Sequence, residues 1–102
     1  MANKLYIVRF YGLDSQGNTM FERGCHCAIP EIAKRELVSY TNDIPTTLNS
    51  YLYPERVSLY VHLIIRELED GIYKYRKSAI YSACENGEIT TYKENPVFNE
   101  LN

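Results

Sequence analysis

Val57-Ser58-Leu59-Tyr60-Val61-His62-Leu63-Ile64-Ile65-Arg66-Glu67-Leu68-Glu69-Asp70-Gly71 admits two readings, and the fold turns on which is right. Val57, Leu59, Val61, Leu63 and Ile65 alternate as strand residues do, yet Val57, Tyr60, Val61, Ile64, Ile65 and Leu68 also fall on one helical face. The run is dominated by β-branched and aromatic residues, which fit a pleated surface. Asp70-Gly71 follows at once, a strong signal for a tight hairpin turn. A helix would also set Glu67, Glu69 and Asp70 at its negative end, where carboxylates are unfavourable. The strand reading is therefore preferred.

Outward from this strand the chain divides into further elements. Ile72 to Ala83 supplies the hairpin partner, with Glu67 opposite Lys74 as an attractive cross-strand pair. Asn86-Gly87 marks another tight turn, returning through Ile89 to Glu94, and Asn95-Pro96 ends that strand. The last residues are expected to fray or to pack along an edge. Upstream, Leu5 to Leu13 is rich in β-branched and aromatic residues and ends in the loop cluster Asp14 to Asn18, from which Thr19 to Ala28 returns. Pro30 and Glu31 suit a first helical turn. Ile32, Ala33, Glu36, Leu37 and Tyr40 continue the helical stripe, and Thr41-Asn42-Asp43 reads as its stop. Pro45 to Tyr53 reads as a short second helix or a loop. The expected fold class is α+β: an antiparallel sheet of about five strands in the order β-β-α-β-β-β, with one main helix packed on one face. No repeat or linker divides the chain, so one domain over residues 1–102 is expected.

A regular register from Asp70-Gly71 places Val57, Leu59, Val61, Leu63 and Ile65 on one face with Ile80, Cys84 and Ile89, beneath the helix. The other face then carries Tyr60, His62, Ile64 and Leu68, followed by Tyr73, Tyr75, Tyr81 and Tyr92. In that register Tyr60, Tyr81 and Tyr92 form a row across three strands. Ten tyrosines and no tryptophan make this aromatic face the most informative feature of the sequence. Tyrosine combines large contact area with low rotamer cost. The plainer alternatives are cross-strand pairs that only stabilise the sheet, or cover by a second copy or by the 45–54 segment.

The other patterns carry less. A formal charge of -2 lacks the basic excess by which phosphate binders gain affinity. Tyr73-Lys74-Tyr75-Arg76-Lys77 interleaves aromatic and basic residues, but Lys74 and Arg76 lie on the face opposite the tyrosines, so nucleic-acid binding through Lys74, Arg76 and Lys77 is a minor alternative. Cys25-His26-Cys27 resembles a metal motif, but on a strand His26 points away from both thiols, and only Cys84 and His62 remain to complete a set. No metal and no cofactor is expected. A cysteine nucleophile has no base placed by the sequence. Glu67, Glu69 and Asp70 crowd a turn, and the five scattered glycines form no phosphate-cradling loop.

Three cysteines cannot all pair within one chain, and Met1 to Phe10 lacks a signal-peptide apolar core. No run approaches the roughly 20 apolar residues of a membrane span. These features point to free thiols in a reducing cytoplasm, with no membrane partner. The functional expectation is a non-enzymatic protein-interaction module: a small regulator or inhibitor that binds another protein or itself as a homodimer. It would act through Tyr60, His62, Tyr75, Tyr81 and Tyr92, or through a sheet edge. Small size and near-neutral charge are shared with accessory factors and inhibitors of bacteria, phages and mobile elements, which is association only. The alternative is a small-molecule or nucleotide-binding domain, in which the helix and the 45–54 segment close a curved sheet over a ligand held by tyrosine hydroxyls and His62.

Overall fold

The ambiguous stretch is a strand. In the computed structural model, which describes residues 3–102, Ser58–Glu69 forms β3 at the middle of a five-stranded antiparallel sheet. Around it stand β1 (Lys4–Leu13), β2 (Thr19–Cys27), β4 (Ile72–Glu85) and β5 (Glu88–Thr91), in the order β2-β1-β3-β4-β5. The helix α1 (Pro30–Asn49) lies between β2 and β3 in the chain. β2 and β3 both run antiparallel to β1, so α1 connects two parallel strands across the one between them, a split β-α-β unit. The expected α+β class and β-β-α-β-β-β order are thus the observed ones.

Both hairpin turns have the residues their geometry demands. Asp70 and Gly71 have φ of 52° and 78°, and Asn86 and Gly87 have φ of 54° and 78°. Positive φ at both central residues is the pattern of the type I′ turn, whose twist matches that of the strands. Glu67 pairs with Lys74 as the two-residue turn requires.

The helix departs from expectation. It does not stop at Thr41-Asn42-Asp43 but runs on through Pro45 to Asn49. A proline in a helix interior costs about 3 kcal/mol, through a lost hydrogen bond and a ring clash. Ile44 and Leu48, 0% and 9% exposed, continue the buried stripe of Ala33 and Leu37 onto the sheet. Burying two such side chains contributes about 1.5–3 kcal/mol each, enough to offset the break. Packing, absent from a local reading, decides the boundary. The C-terminus departs too. Pro96–Leu101 forms a 3-10 helix whose Phe98 and Leu101 are buried against the core, so the tail is neither frayed nor peripheral.

The core lies between the sheet and α1. Val8, Phe10, Leu59, Val61, Leu63 and Ile65 meet Leu37 and Ile44 there. The molecule measures 46 × 24 × 18 Å, and its thinness reflects a single helical layer on one side of the sheet.

The register of β3 with β4 corrects the expected faces. Irregularities fall between Val61 and His62 and between Ile65 and Arg66, where Tyr81 and Arg76 are the extra residues of β4. Each inserted residue reverses the alternation downstream of it. Ile80 consequently pairs with His62, on the face away from the helix, whereas the regular register put it beneath the helix. Ala83, not Tyr81, stands opposite Tyr60. Tyr81 turns to the helix side and packs edge-on against Phe98, with ring centroids 5.1 Å apart. The row of Tyr60, Tyr81 and Tyr92 does not exist.

Candidate interaction face

β1 and β3 are apolar on both faces. On β1, Tyr6, Val8 and Phe10 face the helix, while Ile7 and Tyr11 face away, flanking Arg9. On β3, Tyr60, His62 and Ile64 face away. Near-continuous apolar strands belong to sheets covered on both sides, whereas a sheet solvated on one side alternates apolar with polar. Here α1 covers one side only.

The centre of the open face is an aromatic group. Tyr11 pairs with Tyr60, their centroids 5.5 Å apart, and its ring lies 6.3 Å from that of His62. The Arg9 guanidinium lies 4.9 Å from the Tyr11 ring centre, and its Nε donates to Glu22 Oε1 at 2.8 Å. That hydrogen bond holds the Glu22 carboxyl below its ordinary pKa. Burial raises the Tyr11 hydroxyl pKa. Burial also raises that of Tyr60, to which the Glu85 carboxylate adds. His62 has a buried Nδ1 with no hydrogen-bond partner, and burial, reinforced by Arg9, lowers its pKa. The neutral imidazole is thus the favoured form on this surface.

Towards β5 the face opens into a groove of about 320 Å³, lined by Tyr60, Ile80, Ala83, Glu85, Tyr92 and Asn95. The Tyr92 amide donates to the Tyr81 carbonyl, extending the ladder one residue past β5. Tyr75, 59% exposed, pairs with Arg66 further along the same face, and its hydroxyl lies 3.2 Å from that of Ser78. Of the five expected binding residues, Tyr60, His62, Tyr75 and Tyr92 therefore share the open face, and Tyr81 does not. Sequence reasoning missed Tyr11, Arg9 and Ile80. The first two sit in the apolar run Leu5 to Leu13, whose lack of polar alternation was the available signal. Ile80 is placed by a bulge, which no local pattern announces.

The 45–54 segment does not close over these tyrosines. Its first part completes α1 on the opposite face, and Tyr51 to Tyr53 border a separate groove with Met20 and Val57. Among the described residues, the helix and this segment therefore do not enclose His62 and the open-face tyrosines.

The basic residues of β4 are engaged elsewhere. Lys74 and Arg76 pair with Glu69 at 3.4 and 2.6 Å, and Lys77 pairs with Glu100 at 2.7 Å. Phosphate contacts through Lys74, Arg76 and Lys77 would have to compete with these carboxylates. His26 pairs with Ile7 on the open face, while Cys25 and Cys27 pack against the helix-side core, so the three side chains diverge. Burial, with the neighbouring Cys27, pushes the Cys25 thiol up to about 11, away from thiolate reactivity. Among the described residues, no three His, Cys, Asp or Glu side chains converge as metal ligands would. No helix among them is long and apolar enough to cross a membrane.

Compared with known protein families, with curated proteins and with solved structures, the chain matches none.

Proposed function

We propose that the protein is a non-enzymatic interaction module that docks a protein partner on the open face of its sheet. The observation that carries this reading is the apolar character of both faces of β1 and β3 in a molecule with a helix on one side only. Contiguous apolar surface of this kind marks interaction sites on soluble proteins. Tyr11 and Tyr60 supply rigid aromatic area at the centre, and Tyr92, Tyr75 and Ile80 extend it. The Arg9–Glu22 pair gives the polar rim that interfaces commonly carry. Binding would be steric and non-covalent, with a regulator or inhibitor as the resulting role.

Affinity capture from the native cells, followed by identification of the bound protein, tests the reading. Wild-type protein and a Tyr11→Ala/Tyr60→Ala variant serve as baits, with circular dichroism to confirm that both are folded. The double variant is expected to lose the wild-type partner, because aromatic anchors at an interface centre typically contribute at least 2 kcal/mol each. Retention of the same partner by the folded variant would remove the proposal.

A further inference from the structure

We infer that the partner seated on the open face is a second copy of the chain, packed sheet to sheet about a two-fold axis that crosses the strands at His62. This inference rests on the interaction reading above and commits it to one occupant. The first argument is charge. The two ends of the face carry opposite signs: Arg66 stands at one end of β3, while Glu85 and Glu88, paired on β4 and β5, stand at the other. Glu67 and Glu69 lie near the Arg66 end, but on the helix side, where they hold Arg76 and Lys74.

Face-to-face sheets keep their strands within about 30° of each other, so only two kinds of two-fold axis are open to the pair. An axis along the strands sets each end against the same end of the partner, with like charges facing. An axis across the strands exchanges the ends and sets Arg66 against the partner's Glu85. The charge pattern selects the second. With His62 on that axis, Ile64 lies over the partner's Tyr60, apolar against aromatic.

The second argument is area. Nine residues of β3 from Ser58 to Arg66 at about 3.3 Å each, across the four long strands β2, β1, β3 and β4 at about 4.8 Å of width each, give a face of about 600 Å². Two such faces bury about 1,200 Å², the lower bound of a stable specific interface.

Sedimentation equilibrium of the full chain at about 100 μM provides the test. The expected mass is twice the 11.9 kDa of the chain. Arg66→Glu and Glu85→Arg, each alone, set like charges together twice in the symmetric pair, and each is expected to weaken association at least tenfold. An equimolar mixture of the two variants restores both opposite-charge contacts in a heterodimer and should recover the doubled mass. A wild-type monomer, or a dimer indifferent to both variants, would overturn the inference. A wild-type monomer that still captures a protein through Tyr11 and Tyr60 would leave the interaction reading standing while this one falls.

Discussion

Thr41 and Ser82, on different layers of the molecule, place their hydroxyl oxygens 2.7 Å apart. The Thr41 hydroxyl donates to the Leu37 carbonyl at 2.7 Å, so the Ser82 hydroxyl is the donor in the link between helix and strand. Ser82 is fully buried. The pair thus satisfies the one buried polar side chain among the described residues, at the residue where the sequence signalled the end of the helix.

Thr41→Val should leave that hydroxyl buried without an acceptor and cost about 1–3 kcal/mol, whereas Ser82→Ala should cost about 1 kcal/mol. The double variant should be less destabilised than the sum of the two. Urea denaturation of the four proteins measures this, and a Thr41→Val variant as stable as wild type would refute the link.

Gly24 lies where a Cβ would run into the Val8 carbonyl oxygen of the neighbouring strand. Backbone cannot yield as a side-chain tip can, so Gly24→Ala should cost about 1–3 kcal/mol by overpacking. Thermal melts would register this as a clear fall in Tm. An unchanged Tm would mean that the strands separate there without penalty.

Phe98 and Leu101 close the core from the C-terminal turn. Phe98→Ala should lose about 3–5 kcal/mol, as aromatic-to-alanine changes in cores do. A Glu94→Ala change on the exposed approach to that turn should lose less than about 0.5 kcal/mol. Equal effects in equilibrium unfolding would show that the turn is peripheral after all.

Glu100 bridges Lys4 at 2.8 Å and Lys77 at 2.7 Å, and these hydrogen bonds lower its pKa from 4.5 to about 2. A depressed carboxyl pKa contributes stability that is complete above the unfolded value and fades as pH falls from there through the folded one. Stability should therefore decline between about pH 4.5 and 2, and Glu100→Gln should flatten that part of the profile. Identical pH profiles for the two proteins would contradict the assignment.

His62 titrates in the same direction but higher. Its lowered pKa means that the folded state favours the neutral ring, so its contribution is complete above the ordinary value of 6.5 and falls on acidification below it. Arg9 and Tyr11 face it from β1, and Ile80 faces it from β4. On the two-fold axis proposed above, two imidazolium rings would also repel each other. His62→Gln should remove the loss of both stability and association between pH 7 and 5, read by unfolding and by sedimentation. A wild-type protein indifferent to pH across that range would contradict this.

The strands were legible because their punctuation is local. Asp70-Gly71 and Asn86-Gly87 specify turns by backbone preference alone, and the segments between them have little choice but to pair. The helix end was not legible, because Thr41-Asn42-Asp43 and Pro45 are correct as local signals and are overridden by where Ile44 and Leu48 go. The candidate face was half legible. Tyr60, His62, Tyr75 and Tyr92 follow from strand parity, but Tyr81 and Ile80 depend on two bulges that no local pattern announces. Tyr11 was accessible from the unbroken apolar run of β1, once that run is read as a two-sided strand.

The bulges at Arg76 and Tyr81 act as a compensating pair. Ser82 to Glu85 is in phase with Ile72 to Tyr75 only because two extra residues, each a half-period of the strand, add to a whole one. Both are spare residues, since every other residue of the strand from Ile72 to Cys84 keeps a partner on β3. Deleting either one, or both, would leave a straighter ribbon in which Ile80 still stands opposite His62 and Cys84 opposite Leu59. The strand thus carries slack: loss of one residue beside a bulge can be absorbed by the spare residue moving into the ladder, with the faces beyond it unchanged.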